Sequence, residues 1–405
     1  MTMNKEKVLS AITWCGLGSL LFFIYAAAVL KLIDVPIDYH THLSLAQGIT
    51  WEALRHPLDF LKTNCYPVWH VLTWLVMNVL GCKGRSAVAL VTSGCLVGTW
   101  ACAAWFFSRK YREAGMDMVR AACTCLVLVM PIWLPFFNPN IVLGQGAPNL
   151  LHSPTNVMVK FLAFPCFMWY AAIMDGIGKN SAMRMGVFKL AALSLLVLFA
   201  TLSKPSFLQM FLPAMVLLSL IKLVQFRVAA IKPIAVVAAS FVPVGLLIVW
   251  QTWLALYSPG SGGTGIGIAF LKVWSTGTPN VFVSMLLGTL FPLTVLLWSL
   301  TARKATTADA LAWIMYVVAV SQAAFLVETG WRVWHANFFW AHNLALFFIW
   351  FTAMDRFIYL AGESVKDNAG SRQKWWLLVS SVVLSLHLVS GFCYLWRVLV
   401  HGMWR

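Results

Sequence analysis

The residues with the clearest chemical potential lie between positions 31 and 70, in a polar stretch after the first apolar segment. This stretch holds four of the 13 acidic residues of the chain and four of its nine histidines, and Asp34, Asp38, His40 and His42 lie closest together. On a helix, Asp38 and His42 share a face because they are four residues apart. Pro36 argues against one helix that also includes Asp34. A carboxylate beside an imidazole can act as a general base or bind a divalent ion, whereas the alternative is a solvated loop that only carries charge.

A second polar segment covers residues 138–155 and reads NPNIVLGQGAPNLLHSPT. Glycines and prolines between apolar segments predict a shaped, non-helical loop. Such a backbone is tolerated at membrane depth only where protein buries it or where it lines a cavity. Asn149 and His152 could therefore present hydrogen-bonding groups to a sugar or a phosphate, although an ordinary connecting loop would look similar.

Two further sites are candidates for binding an anion. Lys204 stands alone between two apolar segments, where a charge is costly and often functional, unless its ammonium group reaches the membrane interface. Glu328, Arg332 and His335 follow at helical spacing, with Asn337 just beyond. Arginine suits bidentate phosphate binding. The tryptophans around this segment could stack on a sugar ring or could belong to an interfacial aromatic belt.

The composition places these residues in a membrane protein. The 405 residues are 61% hydrophobic and only 10% charged, whereas about a quarter of the residues in a soluble domain are charged. The net charge of +16 could suit nucleic acid, but the basic residues punctuate the apolar runs and form no single patch, which is typical of topology signals. We therefore predict an all-α, polytopic transmembrane protein that forms one domain over residues 1–405, with no nucleic-acid partner.

Twelve apolar segments predict about 11–12 spans, because the backbone amides of a spanning segment need partners within that segment. In the loop at 31–65, the apolar spacing predicts amphipathic surface helices over 41–62, broken into two by Pro57. The predicted segments lie near 10–31, 66–82, 86–108, 119–137, 156–176, 187–203, 206–223, 233–257, 280–301, 308–327, 337–360 and 375–399.

Charge gives these segments an orientation. Lys5 and Lys7 place the N-terminus inside, so residues 31–65 lie outside. Counting back from the basic C-terminal loops places 138–155, the turn at Lys204, 258–279 and 328–336 outside as well, with 109–120 inside. Counting forward puts Lys83 and Arg85 inside and 109–120 outside. One segment between 66 and 137 is therefore predicted to be short, re-entrant or interfacial.

A first helix, then an outer loop with an early acidic residue and surface helices, then many spans, resembles the GT-C superfamily of glycosyltransferases. The pieces IDYHTH, GQGAPNLLHSPT, LSKPS and ETGWRVWHANFFWAHN carry the likeness. The resemblance implies a polytopic enzyme that uses a polyprenyl-phosphate-linked sugar on the outer face of the cell membrane. The catalytic acid would be Asp38, with Asp34 as the second choice. Unlike some members, the chain shows no soluble C-terminal domain.

The sequence-based hypothesis is thus a glycosyltransferase in which Asp38 deprotonates an acceptor hydroxyl on a glycan, a lipid or a protein. Either nearby histidine orients Asp38 or helps to hold a divalent cation; whether the enzyme needs a cofactor stays open. The remaining residues bind the donor, with Lys204 and Arg332 on the phosphate. The sugar contacts are assigned to Asn149, His152 and Glu328, and further substrate contacts to His40, His42, His335 and Asn337.

Three alternatives remain open. An envelope polysaccharide polymerase or ligase would present a large outer loop with arginine and histidine, and here only Arg55 and Arg332 fit that pattern. A lipid or sugar transporter would place charges deep in spans and pair broken helices, yet Asp175, Asp309 and Asp355 fall at span ends. A structural scaffold would have no need of such polar loops.

Overall fold

The computed structural model describes residues 5–35, 37–111, 115–178, 186–257, 265–366 and 370–402. It confirms the all-α, polytopic fold, and the described part contains one short antiparallel pair of strands, β1 (Ile266–Ile268) and β2 (Leu326–Glu328). The helices are α1 (Lys5–Leu32), α2 (Asp38–Gln47), α3 (Trp51–Arg55), α4 (Pro57–Thr63), α5 (Val68–Asn78), α6 (Gly84–Lys110), α7 (Met116–Leu128), α8 (Pro154–Gly176), α9 (Val187–Ser203), α10 (Ser206–Phe226), α11 (Val228–Tyr257), α12 (Val281–Thr301), α13 (Thr307–Phe325), α14 (Asn337–Ser364) and α15 (Ser371–His401).

Within the described residues, nine helices are long and apolar enough to cross a membrane, whereas the apolar segments predicted about 11–12 spans. The other three segments form shorter helices of 11, 13 and 17 residues, namely α5, α7 and α9. A helix needs about 20 residues to cross a hydrocarbon layer about 30 Å thick. The helix α5 is therefore too short to span, and α7 needs the chain that follows it to complete a crossing.

Polar contacts join the helix ends into two opposite faces. At the first, Lys110 at the end of α6 contacts the carboxylate of Asp355 near the end of α14 at 2.6 and 2.7 Å. Arg356 donates to the Lys304 carbonyl between α12 and α13. At the opposite end of α6, Arg85 pairs with Asp34, just after α1, at 2.5 and 2.8 Å. We call these two ends the Lys110 face and the Asp38 face.

The three surface helices α2, α3 and α4 and the short helix α5 all lie at the Asp38 face, between the end of α1 and the start of α6. Pro57 occupies the first turn of α4, where its missing N–H costs nothing. The chain thus forms three surface helices where the sequence predicted two. Because α5 does not cross, the conflict in the charge count disappears, and Lys83 and Arg85 move to the same face as Asp38.

Residues 129–153 pass through the interior without an α-helix, whereas the glycines and prolines predicted an irregular backbone only from residue 138 and a span up to residue 137. Protein groups satisfy their backbone: Ser390 and Tyr394 of α15 accept hydrogen bonds from the amides of Trp133 and Leu151, each at 3.0 Å. Asn343 of α14 accepts a third at 2.6 Å. This segment and α7 together bring the chain from the Lys110 face back to the Asp38 face, where α8 begins.

The helix α14 is the central element of the fold. It is apolar on all sides and almost completely buried between Phe339 and Met354, as expected for a helix surrounded by others. Its aromatic residues interlock with neighbouring helices: Phe351 stacks on Phe107 of α6 at 5.4 Å, and Trp350 stacks on Phe291 of α12 at 5.0 Å. The N-terminal end of this rigid helix holds one wall of the candidate site.

Candidate functional site

Asp38 and His152 form the centre of the polar group at the Asp38 face. Asp38 opens α2, and His152 ends the irregular segment just before α8, so the two are far apart in sequence. The His152 Nε2 atom lies 3.6 Å from the Asp38 carboxylate, with side chains 19% and 35% exposed. Burial alone would raise the pKa of Asp38, but His152 and Lys204 outweigh it and lower the pKa to about 2. Asp38 is therefore an ionised, partly accessible carboxylate.

A second histidine pair lies behind this carboxylate. His42, one turn after Asp38 on α2, places its Nδ1 atom 2.8 Å from Nε2 of His70 on α5. The Nδ1 atom of His70 lies 3.2 Å from the backbone carbonyl of Tyr66. Both rings are almost fully buried. Burial lowers the pKa of His42 to about 3 and that of His70 to about 4, so both are neutral at physiological pH.

Lys204 lies in the turn between α9 and α10 and directs its ammonium group to the start of α8. The Nζ atom is 3.4 Å from Ser153 Oγ and 3.2 Å from Thr155 Oγ1. It also lies 4.6 Å from the centre of the Trp340 ring, a cation–π contact. Burial lowers the pKa of Lys204 to about 8, and Asp38 opposes that effect. The ammonium group is therefore charged at neutral pH, and its hydrogen-bond partners among the described residues are neutral hydroxyls.

Trp340, on the first turn of α14, connects the carboxylate to a cavity. His152 stacks against one side of its ring, with centroids 5.5 Å apart and planes at 25°. Trp340 and Lys204 also line a cavity of about 300 Å³, which we call the Lys204 cavity. Asp38 and His152 are not among its lining residues, so the carboxylate lies beside the cavity and not within it.

The opposite wall of the Lys204 cavity comes from the 328–337 segment. Glu328 pairs with Arg332 at 3.0 Å and accepts a hydrogen bond from Asn337 at 2.5 Å. All three side chains line the cavity. The segment is not the continuous helix that the spacing suggested. Glu328 ends β2, opposite Ile266 of β1, where the strand pair holds the backbone extended, and Arg332 lies on a short 3₁₀ helix, Gly330–His335.

Within the part of the chain that the structure describes, three buried oxygens on cavity-lining side chains lack a hydrogen-bond partner. They are the amide oxygens of Gln209 and Gln251 and the hydroxyl of Ser206. Gln251 donates its amide N–H to the Cys65 carbonyl, which fixes its oxygen as the remaining acceptor. Leaving a buried acceptor without a donor costs about 1–3 kcal/mol. The walls of the cavity thus present acceptors that suit a ligand with several hydroxyl groups.

The structure brings together Asp38, His42, His152 and Lys204, and it places Glu328, Arg332 and Asn337 across the cavity. The remaining predicted residues lie elsewhere. Asp34 is exposed and pairs with Arg85. Asn149 is buried, and its amide donates to the Leu126 and Val129 carbonyls, which is a structural use. His40 and His335 are exposed.

Sequence reasoning missed the roles of His70, Thr155, Gln209 and Gln251. The only signal for His70 was its membership of the histidine-rich stretch. Gln209 and Gln251 gave a weaker signal, because a polar amide inside an apolar segment needs a hydrogen-bond partner. Lys160 was also missed; it is buried inside α8 and donates to the Pro148 carbonyl. That contact ties the irregular segment to α8.

Within the described residues, no group of three or more histidine, cysteine or acidic side chains is arranged to hold a metal ion. Comparison with protein-family models gave no match to this chain, and comparison with curated proteins gave none either.

Proposed function

We propose that the chain is a membrane glycosyltransferase that takes a sugar from a polyprenyl-phosphate carrier. The observation that carries this proposal is the placement of an ionised carboxylate, Asp38, beside a buried lysine, Lys204, at the edge of a cavity of about 300 Å³. The resemblance to the GT-C superfamily supports the same reaction. One group can remove a proton, and the other can hold the leaving phosphate.

In the proposed reaction, an acceptor hydroxyl attacks the anomeric carbon of the bound sugar. A new carbon–oxygen bond forms there, the bond to the phosphate oxygen breaks, and the phosphate leaves with the electron pair. Asp38 takes the hydroxyl proton as general base. Lys204 stabilises the charge that develops on the phosphate, and this effect is strong because the site is buried. His152 orients Asp38.

The cavity walls support a sugar as the bound group. The acceptors on Gln209, Gln251 and Ser206 need donors, and sugar hydroxyls supply them. Trp340 offers a flat ring that Lys204 and His152 hold in place. Arg332 can add a second contact to phosphate, although in the described structure it pairs with Glu328.

A lipid-linked donor also fits the helices that form the cavity. Gln209 of α10 and Gln251 of α11 line the cavity, and farther along the same two helices an apolar groove of about 390 Å³ opens between them. Leu212, Met215 and Phe241 are among its lining residues. A polyprenyl chain could lie in this groove while its phosphate and sugar occupy the cavity.

The distribution of charge supports an outward-facing site. Basic residues of the described chain concentrate at the Lys110 face, including Arg109, Arg120, Lys304 and Lys374. By the positive-inside rule this face is cytoplasmic. The Asp38 face would then be extracytoplasmic, where the acceptor would be a glycan, a lipid or a protein of the cell envelope.

The proposal is tested by sugar transfer in proteoliposomes that contain the full chain and a panel of polyprenyl-phosphate sugars. The readout is release of free polyprenyl phosphate. We expect Asp38→Asn to lower the rate by roughly 10²- to 10⁴-fold, the usual contribution of a general base. Asp59→Asn is the matched control, because Asp59 is exposed on α4 and pairs with Lys62. Full activity of Asp38→Asn would rule out the assigned base.

Two observations favour a second candidate, a lipid or sugar transporter. Lys160 is buried within a span and the crossing through residues 129–153 is broken, both of which are features of transporters. Transbilayer movement of a fluorescent lipid-linked sugar in the same proteoliposomes, without release of polyprenyl phosphate, would support this function.

A further inference from the structure

The His42–His70 pair has a hydrogen-bond pattern that fixes where its protons lie. The Tyr66 carbonyl can only accept, so the contact at 3.2 Å requires a proton on Nδ1 of His70. In neutral His70, the Nε2 atom is then an acceptor. The contact at 2.8 Å between this atom and Nδ1 of His42 therefore requires a proton on Nδ1 of His42.

Both imidazole rings are also uncharged. His42 is 6% exposed and His70 is 2% exposed, so a charge on either ring would be poorly solvated. The nearby Lys204 ammonium group further disfavours a second cation. With one proton on each ring, Nε2 of His42 carries only a lone pair. Among the described residues, no hydrogen bond to this atom is present.

From this pattern, and on the basis of the proposed function, we infer that His70 is a positioning residue that holds His42 in the Nδ1–H tautomer. His42 then offers Nε2 only as an acceptor, on a ring that follows Asp38 by one turn of α2. Its natural ligand is a hydroxyl group, either of the sugar or of the acceptor. The same atom in the other tautomer would be a donor and could not accept a hydrogen bond from a hydroxyl group.

The tautomer is measured directly by ¹⁵N NMR of the full chain labelled at histidine and reconstituted in nanodiscs. The His42 signals are assigned by their loss in His42→Gln. We expect a protonated Nδ1 and an unprotonated Nε2 in the unaltered protein. A protonated Nε2 on His42 would overturn the inference, whether or not the protein transfers sugar.

Two substitutions of His70 separate its positioning role from simple packing. In His70→Gln, the amide oxygen lies near the position of Nε2 and can still accept from His42. In His70→Asn, the amide lies near the position of Nδ1, which keeps the contact to Tyr66 but removes the acceptor. We expect His42 to keep its tautomer in His70→Gln and to lose it in His70→Asn. Identical spectra for the two variants would contradict the positioning role.

Two substitutions of His42 test, by their rates of sugar transfer, whether its Nε2 atom accepts a hydrogen bond from a ligand. His42→Gln places an amide oxygen near the position of Nε2, whereas His42→Asn keeps only the group that faces His70. We expect His42→Asn to be slower than His42→Gln by roughly tenfold, the value of one hydrogen bond to a reacting group. Equal rates would show that Nε2 of His42 contacts no ligand. If the unaltered protein transfers no sugar, the proposed function fails and the NMR result alone decides the tautomer.

Discussion

At the scale of single residues, Lys204 is the side chain whose charge matters most. It is buried and surrounded by hydroxyls and an aromatic ring, with an ionised carboxylate nearby. Such a group is costly to keep charged unless an anion binds beside it. Replacing it with glutamine removes the charge and keeps much of the volume.

We expect Lys204→Gln to lower kcat/KM for the phosphate-linked donor on the order of 10- to 100-fold, because a hydrogen bond to a charged group contributes about 1.5–3 kcal/mol. The measurement is release of polyprenyl phosphate in proteoliposomes. Lys62→Gln is the matched control, since Lys62 is exposed on α4 at the same face. An equal loss in both variants would mean that surface charge, and not Lys204, attracts the donor.

The pH dependence of the reaction should also report on Lys204. Its pKa is lowered to about 8 by burial, so the free enzyme loses the ammonium charge as the pH rises through that value. We expect kcat/KM, which reflects the free enzyme, to fall above about pH 8. In Lys204→Arg this alkaline limb should disappear, because arginine stays protonated. An unchanged alkaline limb in the arginine variant would assign it to another group.

We expect Gln209 to favour binding of the donor but to destabilise the unliganded fold. Its buried amide oxygen has no donor, which destabilises the unliganded fold. We expect Gln209→Leu to unfold at the same or a higher temperature, while the KM for the donor rises roughly tenfold. Thermal unfolding and initial rates of the same preparation give the two values. A lower unfolding temperature with an unchanged KM would show that Gln209 serves packing alone.

At the scale of elements, the irregular crossing at 129–153 depends on close approach of its backbone to α14. Gly146 has a φ of +69°, and a Cβ atom there would lie 2.5 Å from the His342 ring. His342 is fully buried and has no room to move. The segment can therefore take its path only with glycine at this position.

We expect Gly146→Ala to destabilise the protein by at least about 1–3 kcal/mol, the range for a strained backbone conformation, and to lower the yield of monodisperse protein. Gly94→Ala is the control, because a Cβ atom at Gly94 of α6 meets nothing within 4 Å. The comparison uses thermal unfolding in detergent. Equal unfolding temperatures for the two variants would contradict the close packing at Gly146.

The elements also show which structural features a sequence can predict. Local chemistry predicted the break at Pro57 and the irregular backbone after position 138. The apolar run at 66–82 did not reveal that α5 ends at Asn78, because hydropathy does not set helix ends. The contact between Asp38 and His152 could not be predicted from the sequence either. It depends on how α2 packs beside the start of α8, and no local pattern specifies that packing.

At the scale of the whole molecule, the fold determines which positions lie at the same face. Because α5 does not cross, Lys83 belongs with Asp59 and Asp38 at one face, whereas Arg303 lies at the other with Lys110. Counting every apolar segment as a crossing would instead place Lys83 at the face opposite to Asp38 and Asp59. The position of Lys83 therefore distinguishes the two topologies.

Single cysteines at positions 59, 83 and 303, in a background without the nine native cysteines, can be labelled in intact cells with a membrane-impermeant maleimide. We expect the cysteines at 59 and 83 to be labelled from outside and the one at 303 only after the cells are opened, because basic loops stay in the cytoplasm. If 59 is labelled from outside but 83 only after the cells are opened, α5 crosses the membrane. Asp38 and Lys204 would then lie at opposite faces, and no single site could contain both.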